Sequence, residues 1–142
     1  MLGSPFILVT LLASVVSVTQ AAALKPRQLL GQLGSLQCNI ARVRIVGALG
    51  DADQAIGNIQ DQATSTAAAA GLSQANAGIS QIANAILAGE EPPAESRSEV
   101  QAGLEAMAAA LTANNSTDPA VGDAQSALTA ATAAGEDVVA QC

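Results

Sequence analysis

The stretch LLGQLGSLQCNIARVRIVGAL, residues 29–49, has two apolar faces at helical spacing. One face runs, in steps of four and three residues, through Leu29, Leu33, Leu36, Ile40, Val43 and Gly47. The opposite face carries Cys38, Ala41, Ile45 and Leu49. Because residues three and four apart share a face of an α-helix, the stretch predicts a first helix. A helix that is apolar on both sides is expected at the centre of the packing, or broken near Cys38.

Upstream of this helix, an uncharged apolar run of 13 residues occupies Phe6–Val18. A membrane-spanning helix needs about 20 apolar residues, so the run is too short to cross a bilayer. Small residues follow at 19–23, as at the cleavage site of a secretory signal peptide. We predict a signal peptide over residues 1–23, cleaved after Ala21 or Ala23, and a single secreted domain over residues 24–142. The alternative is a buried N-terminal helix.

The two cysteines lie at the extremities of that predicted domain, Cys38 near its start and Cys142 at the last position. In an exported chain, two cysteines favour a disulfide over a metal site. The bridge would close a loop of about 105 residues, which contributes on the order of 4–5 kcal/mol when treated as chain entropy. Two free thiols or an intermolecular bridge are the alternatives.

Apolar spacing predicts further helices along an alanine-rich chain, and alanine has the highest helix propensity. Gly50-Asp51 is expected to end the first helix, and a second runs over Ala52–Ala70. Gly71 is expected to separate it from a third helix, unless the two form one long kinked helix. That third helix is marked by Ala75, Ile79, Ile82 and Ile86.

The second half of the chain has clearer boundaries. Gly89–Pro93 predicts a loop, and Ser96 with Glu99 has the pattern of a capping box. The next apolar stripe is Val100, Leu104, Met107 and Leu111. After Asp118-Pro119, a helix start, the last stripe is Val121, Ala124, Leu128, Ala131, Gly135 and Val138, and its next step reaches Cys142. The sequence therefore predicts an all-α, four- to five-helix bundle whose first helix is tied to the C-terminus by one disulfide.

Composition excludes several function classes. The net charge is −7, and an acidic chain without clustered Lys and Arg is a poor nucleic-acid binder. There is no histidine to act as a catalytic base, and two distant cysteines do not make a zinc site. The carboxylate pairs Glu90-Glu91 and Asp51/Asp53 suit helix ends and solvated surfaces. We predict no enzymatic activity, no catalytic residues, no metal and no cofactor. No second segment of the predicted domain is long enough to cross a membrane.

Two kinds of candidate site remain. Asn114 and Asn115 begin overlapping glycosylation acceptors, Asn-Asn-Ser and Asn-Ser-Thr, in a predicted exposed loop. The alternative is an unmodified turn. Arg42 and Arg44 lie among apolar residues of the first helix, where they could clamp an anionic group such as a fatty-acid carboxylate. The alternative, which we favour, is a surface charge pair that balances neighbouring acids.

The chain from Cys38 onward resembles a group of small fungal secreted proteins described as cell wall proteins. The resemblance is carried by Gln37–Arg42, Ile45–Leu49, Gln74–Ile79, Ala88–Pro93 and Val138–Cys142. In layout and composition, the chain is more distantly similar to the hydrophobic surface-binding protein A and cell wall galactomannoprotein families. This similarity implies a small secreted helical protein that binds hydrophobic surfaces or lipids.

We therefore expect a non-enzymatic protein, extracellular or associated with the cell wall, that binds a hydrophobic surface or lipid. The alternative is a secreted effector or interaction module that docks on another extracellular protein. A large apolar cavity would favour lipid carriage. We expect a mostly filled interior instead, because alanine-rich helices pack closely and few large side chains are present to line a void.

Overall fold

A computed structural model gives the fold. It describes residues 26–113 and 115–142, with side chains from Leu36 onward. These residues form four α-helices and no strand: α1 (Pro26–Gly57), α2 (Gln62–Leu87), α3 (Ala94–Thr112) and α4 (Pro119–Gln141). The predicted all-α bundle is confirmed. The predicted signal peptide, residues 1–23, lies outside the described residues.

Helices α1 and α4 form one close pair, joined covalently by the disulfide between Cys38 and Cys142. The Cα atoms of the two cysteines are 5.1 Å apart. Seven residues before Cys142, Gly135 faces Ile45, which lies seven residues after Cys38. The two helices are therefore antiparallel, and the predicted tie between the first helix and the C-terminus is confirmed.

Only one face of α1 is covered by this pairing. The buried residues are Cys38, Ala41, Ile45, Ala48, Leu49, Ala52 and Ile56. The other apolar face, through Leu36, Ile40 and Val43, is exposed to solvent. The expectation that α1 lies at the centre of the packing or breaks near Cys38 was therefore wrong. The helix is continuous. It lies at the periphery because α4 covers only the face that carries Cys38, and the opposite face has no helix against it among the described residues.

Helices α2 and α3 form a second close pair in which backbone meets backbone. A Cβ added to Gly71 would lie 2.7 Å from the Met107 amide nitrogen and 2.8 Å from the Gly103 carbonyl oxygen. A Cβ on Gly78 would lie 2.6 Å from the Ser96 carbonyl oxygen. Real side chains do not approach so closely, so these glycines let the helices come together without space between them. This agrees with the expected filled interior.

The two pairs share one buried apolar cluster to which all four helices contribute. The predicted stripe of α3, from Val100 to Leu111, is buried in it, as is most of the predicted stripe of α4. The contacts between α1 and α2, and between α3 and α4, are sparser than those within each pair. The molecule is therefore built as two close pairs that meet through larger side chains.

Two predicted helix boundaries in the first half of the chain were wrong. Helix α1 continues through Gly50-Asp51. Helix α2 continues through Gly71, which agrees with the alternative that the predicted second and third helices form one helix. The actual break lies at residues 58–61, where Asp61 accepts a hydrogen bond of 2.8 Å from the Thr64 amide and so caps α2. The Ser65 hydroxyl donates to the Ile56 carbonyl and satisfies an acceptor at the end of α1.

The loops of the second half agree with the sequence. Gly89 has a positive φ of 73° in the loop before α3. Asp118 caps α4 by accepting from the Ala120 amide, and Pro119 is the first helical residue. The other oxygen of Asp118 accepts from the Gln60 amide at 3.0 Å. One carboxylate thus caps α4 and holds the α1–α2 loop.

Candidate functional site

The predicted anion-binding pair lies on α1, where Arg44 is exposed and Arg42 is half-buried. Successive residues are 100° apart around a helix, so the two arginines flank Val43 on either side. Arg44 Nη1 is 3.6 Å from Asp137 Oδ2 of α4, in an exposed ion pair. Arg42 Nη1 donates to Asn39 Oδ1 at 3.3 Å, and the described residues give it no carboxylate partner. Arg44 is thus balanced by an acid, whereas Arg42 is not.

Between and beside these arginines is a set of exposed aliphatic side chains, which we call the α1 apolar row. Its members are 40–73% exposed, and they are Leu36, Ile40, Val43 and Val46. Three of them belong to the periodic stripe that the sequence identified, so the exposure concerns a continuous helical face and not scattered residues. The side chains of Leu29 and Leu33, which continue the stripe in sequence, lie outside the described ones.

A continuous surface of large apolar side chains raises the free energy of the folded protein when it is exposed to water. Each buried methylene contributes about 0.8 kcal/mol, and contiguous exposed apolar patches mark contact sites in folded proteins. Alanine would have supported the helix as well as these residues do. The α1 apolar row is therefore the surface of this domain that needs a functional explanation.

Basic and acidic residues are segregated along the sequence. The net charge of −7 does not show this segregation. Four of the five basic residues lie at positions 25–44, and all twelve acidic residues follow Gly50. The acids are spread over residues 51–137. Along the sequence, the row therefore lies in a segment that is rich in positive and free of negative side chains, and in the fold Asp137 of α4 lies beside it.

A shallow groove of about 430 Å³ runs between α1 and α4 beside the row. Its walls carry Arg44 and the carboxylates of Asp51 and Asp137, and its floor is glycine and alanine. A second open groove of about 350 Å³ lies along α4 near Leu128 and Glu136. Neither has the enclosed apolar lining of a small-molecule site.

A hydrogen-bonded connection between α2 and α3, in which Ser96 is buried and Gln81 is exposed, resembles a catalytic group of residues. The Ser96 hydroxyl donates to Gln81 Oε1 at 2.9 Å, and Gln81 Nε2 donates to Glu99 Oε2 at 2.7 Å. Ser96 is fully buried, so no substrate reaches its oxygen. The predicted capping box was wrong, because α3 begins at Ala94 and Ser96 faces α2. The connection is structural: it joins α2 and α3 by side-chain hydrogen bonds.

The remaining predicted residues are placed as follows. Asn115 is exposed in the α3–α4 loop with a φ of 41°, and Ser116 Oγ accepts from the Asp118 amide. Asn114 lies outside the described residues. Glu91 forms a loose, exposed ion pair with Arg97 at 3.9 Å. Among the described residues, no three Cys, Asp or Glu side chains are grouped so that they could hold a metal ion.

Among the described side chains, Asp61 alone has a pKa displaced from its ordinary value. Hydrogen bonds from the Thr64 side chain and then from its amide lower the pKa of this carboxyl below its ordinary value. That is the signature of a helix cap, in which the charged form is the one that accepts hydrogen bonds.

Within the described part of the chain, no helix combines the length and apolar character that a membrane crossing requires. A scan against protein-family models, a search of curated proteins and a search of solved structures each found no match to this chain. Its function must therefore be argued from its own surface.

Proposed function

We propose that this chain is a non-enzymatic extracellular protein, secreted or associated with a cell wall, that attaches to hydrophobic surfaces or lipids through the α1 apolar row. The single observation that carries the proposal is the exposure of Leu36, Ile40, Val43 and Val46 along one helix. Such a face gains free energy when a second apolar phase covers it.

The packing supports attachment at the surface over carriage inside the bundle. Carriage requires an apolar cavity of several hundred Å³. In the α2–α3 pair the helices touch at Gly71, Gly78 and Gly103, and a single methyl group has no room there. Of the exposed large apolar side chains among the described residues, four lie together on the outside of α1.

Two further features support the extracellular setting. A disulfide of sequence separation 104 persists in oxidising compartments and is rare in reducing ones. The predicted signal peptide and the resemblance to small fungal cell wall proteins point the same way. N-terminal sequencing of the protein exported by a secreting host should start at Ala22 or Leu24. Retention of residues 1–23 in the exported product would contradict this part of the proposal.

Binding can be tested with the purified, disulfide-intact protein on octyl-coated beads and phospholipid vesicles. The double substitution Leu36→Ser with Val43→Ser removes much of the row, and we expect about a tenfold or greater loss of binding, since each aliphatic side chain contributes about 1.5 kcal/mol or more when covered. Both positions are exposed, so the helical circular dichroism and thermal midpoint should stay close to those of the wild type.

The matched control is Leu87→Ser. Leu87 is 85% exposed at the end of α2, and the substitution removes the same kind of side chain away from the row. It should bind like the wild type. If the control loses as much as the double variant, or if neither differs from the wild type, the row is not the attachment site. A specific protein captured from extracellular fluid without lipid binding would favour the docking-module alternative.

A further inference from the structure

The charges near the α1 apolar row indicate what kind of surface the row binds. We infer that the row docks on anionic lipid bilayers, with Arg42 and Arg44 contacting the headgroups. The inference rests on the proposed function, because it names the partner of the same surface. It makes the further claim that negative charge on the partner is required for tight binding.

The first step is the position of the arginines relative to the row. Val43 is the most exposed member, and Arg42 and Arg44 project 100° to either side of it. When a helix lies in a membrane interface, its apolar stripe faces the acyl chains and its basic residues sit at the edges of the stripe. Long arginine stems then follow the apolar boundary while the guanidinium groups reach the phosphates.

The second step is the distribution of charge over the whole chain. Residues 1–50 carry Lys25, Arg27, Arg42 and Arg44 and no acid, whereas residues 51–142 carry twelve acids and only Arg97. An anionic bilayer attracts the first part and repels the second. The charge distribution therefore favours the orientation in which the α1 apolar row faces the lipid, and the acid that the structure shows beside the row, Asp137, is paired with Arg44.

The third step excludes two other binding partners of the row, a second copy of the chain and a neutral apolar surface. In a dimer that pairs α1 with a second α1, the basic residues of both copies would approach each other, and α1 has no acid before Asp51 to neutralise them. A neutral apolar phase would leave Arg42 without a counter-charge, because of the two arginines beside the row only Arg44 has a carboxylate partner, Asp137, among the described residues. An anionic lipid supplies both the apolar phase and the missing charge.

The experiment compares vesicles of phosphatidylcholine with vesicles that also contain phosphatidylserine, by co-sedimentation of the full domain. We expect binding to the mixed vesicles to be about tenfold tighter or more at about 0.1 M salt. The preference should vanish at about 1 M salt, where the Debye length falls from about 10 Å to about 3 Å. The double substitution Arg42→Gln with Arg44→Gln should abolish most of the preference and leave binding to octyl-coated beads intact.

The matched control is Arg97→Gln, which removes the same charge from α3, away from the row. It should keep the preference for phosphatidylserine. Equal binding to both vesicle types, or an equal loss in the control, would overturn the inference. Bead binding without a preference for anionic vesicles overturns this inference alone, whereas absence of binding to beads and vesicles alike overturns the proposed function as well. A dimer in sedimentation that Val43→Ser dissociates, without vesicle binding, would assign the row to a second copy.

Discussion

The two helix pairs hold their helices together by different means. The α2–α3 pair has no covalent link and relies on glycines that bring the two backbones into contact. The α1–α4 pair has a disulfide, and α1 buries alanines together with Ile45, Leu49 and Ile56 while it keeps other large apolar side chains on the outside. Helix α1 thus has large apolar side chains on both faces, and only those on the face toward α4 are buried. The pair that carries the candidate site combines side-chain packing with a crosslink.

The largest expected effect comes from removing the crosslink of the α1–α4 pair. Replacing Cys38 and Cys142 together by serine should lower the free energy of unfolding by about 4–5 kcal/mol, since the unfolded chain regains the entropy of a loop of about 100 residues. Urea unfolding of both proteins measures the change. Hydrogen exchange should quicken first in α1 and α4. Faster exchange confined to α2 and α3 would contradict the comparison.

The second effect concerns the α2–α3 pair. In the variant Gly103→Ala, the new Cβ meets the Ala75 amide and the Gly71 carbonyl oxygen, which are backbone atoms of the facing helix and cannot turn away. We expect a loss of about 2–3 kcal/mol, because overpacking outweighs the gain in helix propensity.

The control for this variant is Gly47→Ala in α1, where an added Cβ meets nothing within 4 Å. It should stabilise the protein by about 0.5–1 kcal/mol, the usual gain when alanine replaces glycine inside a helix. Thermal unfolding of the two variants side by side gives opposite signs if the glycines of the pairs differ as described. Equal shifts would mean that close packing is not what distinguishes the pairs.

A smaller effect is expected where the pairs are joined. Asp118→Ala removes the cap of α4 and the acceptor of the Gln60 amide together, and should cost about 1–2 kcal/mol. Asp118→Asn keeps a side-chain oxygen for the cap and should cost less. Urea midpoints of the two variants check the order. If both match the wild type, the loop of residues 58–61 is held by other contacts.

The smallest effect is a dependence on pH at the start of α2. The pKa of Asp61 is lower in the folded protein than its ordinary value, so the charged cap stabilises the fold above about pH 4. That contribution is lost as the pH falls through the lowered pKa, because the protonated carboxyl no longer accepts as well. Asp61→Asn should therefore differ from the wild type at pH 6 and converge with it near pH 2. A constant difference across that range would contradict the assignment.

The features that depend on local chemistry could be predicted from the sequence. The helical class, the disulfide, the Gly89–Pro93 loop and the Asp118-Pro119 start each follow from residue types at short spacing. The stripe of α3, through Leu104 and Met107, also follows from its period because only one face of that helix is apolar.

The features that were missed depend on the partner helix. Gly50 looks like a stop but lies in open space inside α1, and Gly71 looks like a stop but makes room for Met107. No local signal separates these two roles from helix termination. On α1, periodicity identified two apolar faces, and only the position of α4, set through Cys142, decides which one is covered. The exposed row is the consequence of that choice, and the segregation of charge is the sequence signal that could have indicated it.

The bond between Cys38 and Cys142 turns most of the polypeptide into a closed ring. A protease that cuts one loop, such as residues 88–93 or 113–118, opens the ring without releasing a fragment. The cleaved molecule keeps its mass on a non-reducing gel and separates into two pieces only after a thiol is added. The protein would therefore survive its first cut as a single particle that still contains α1.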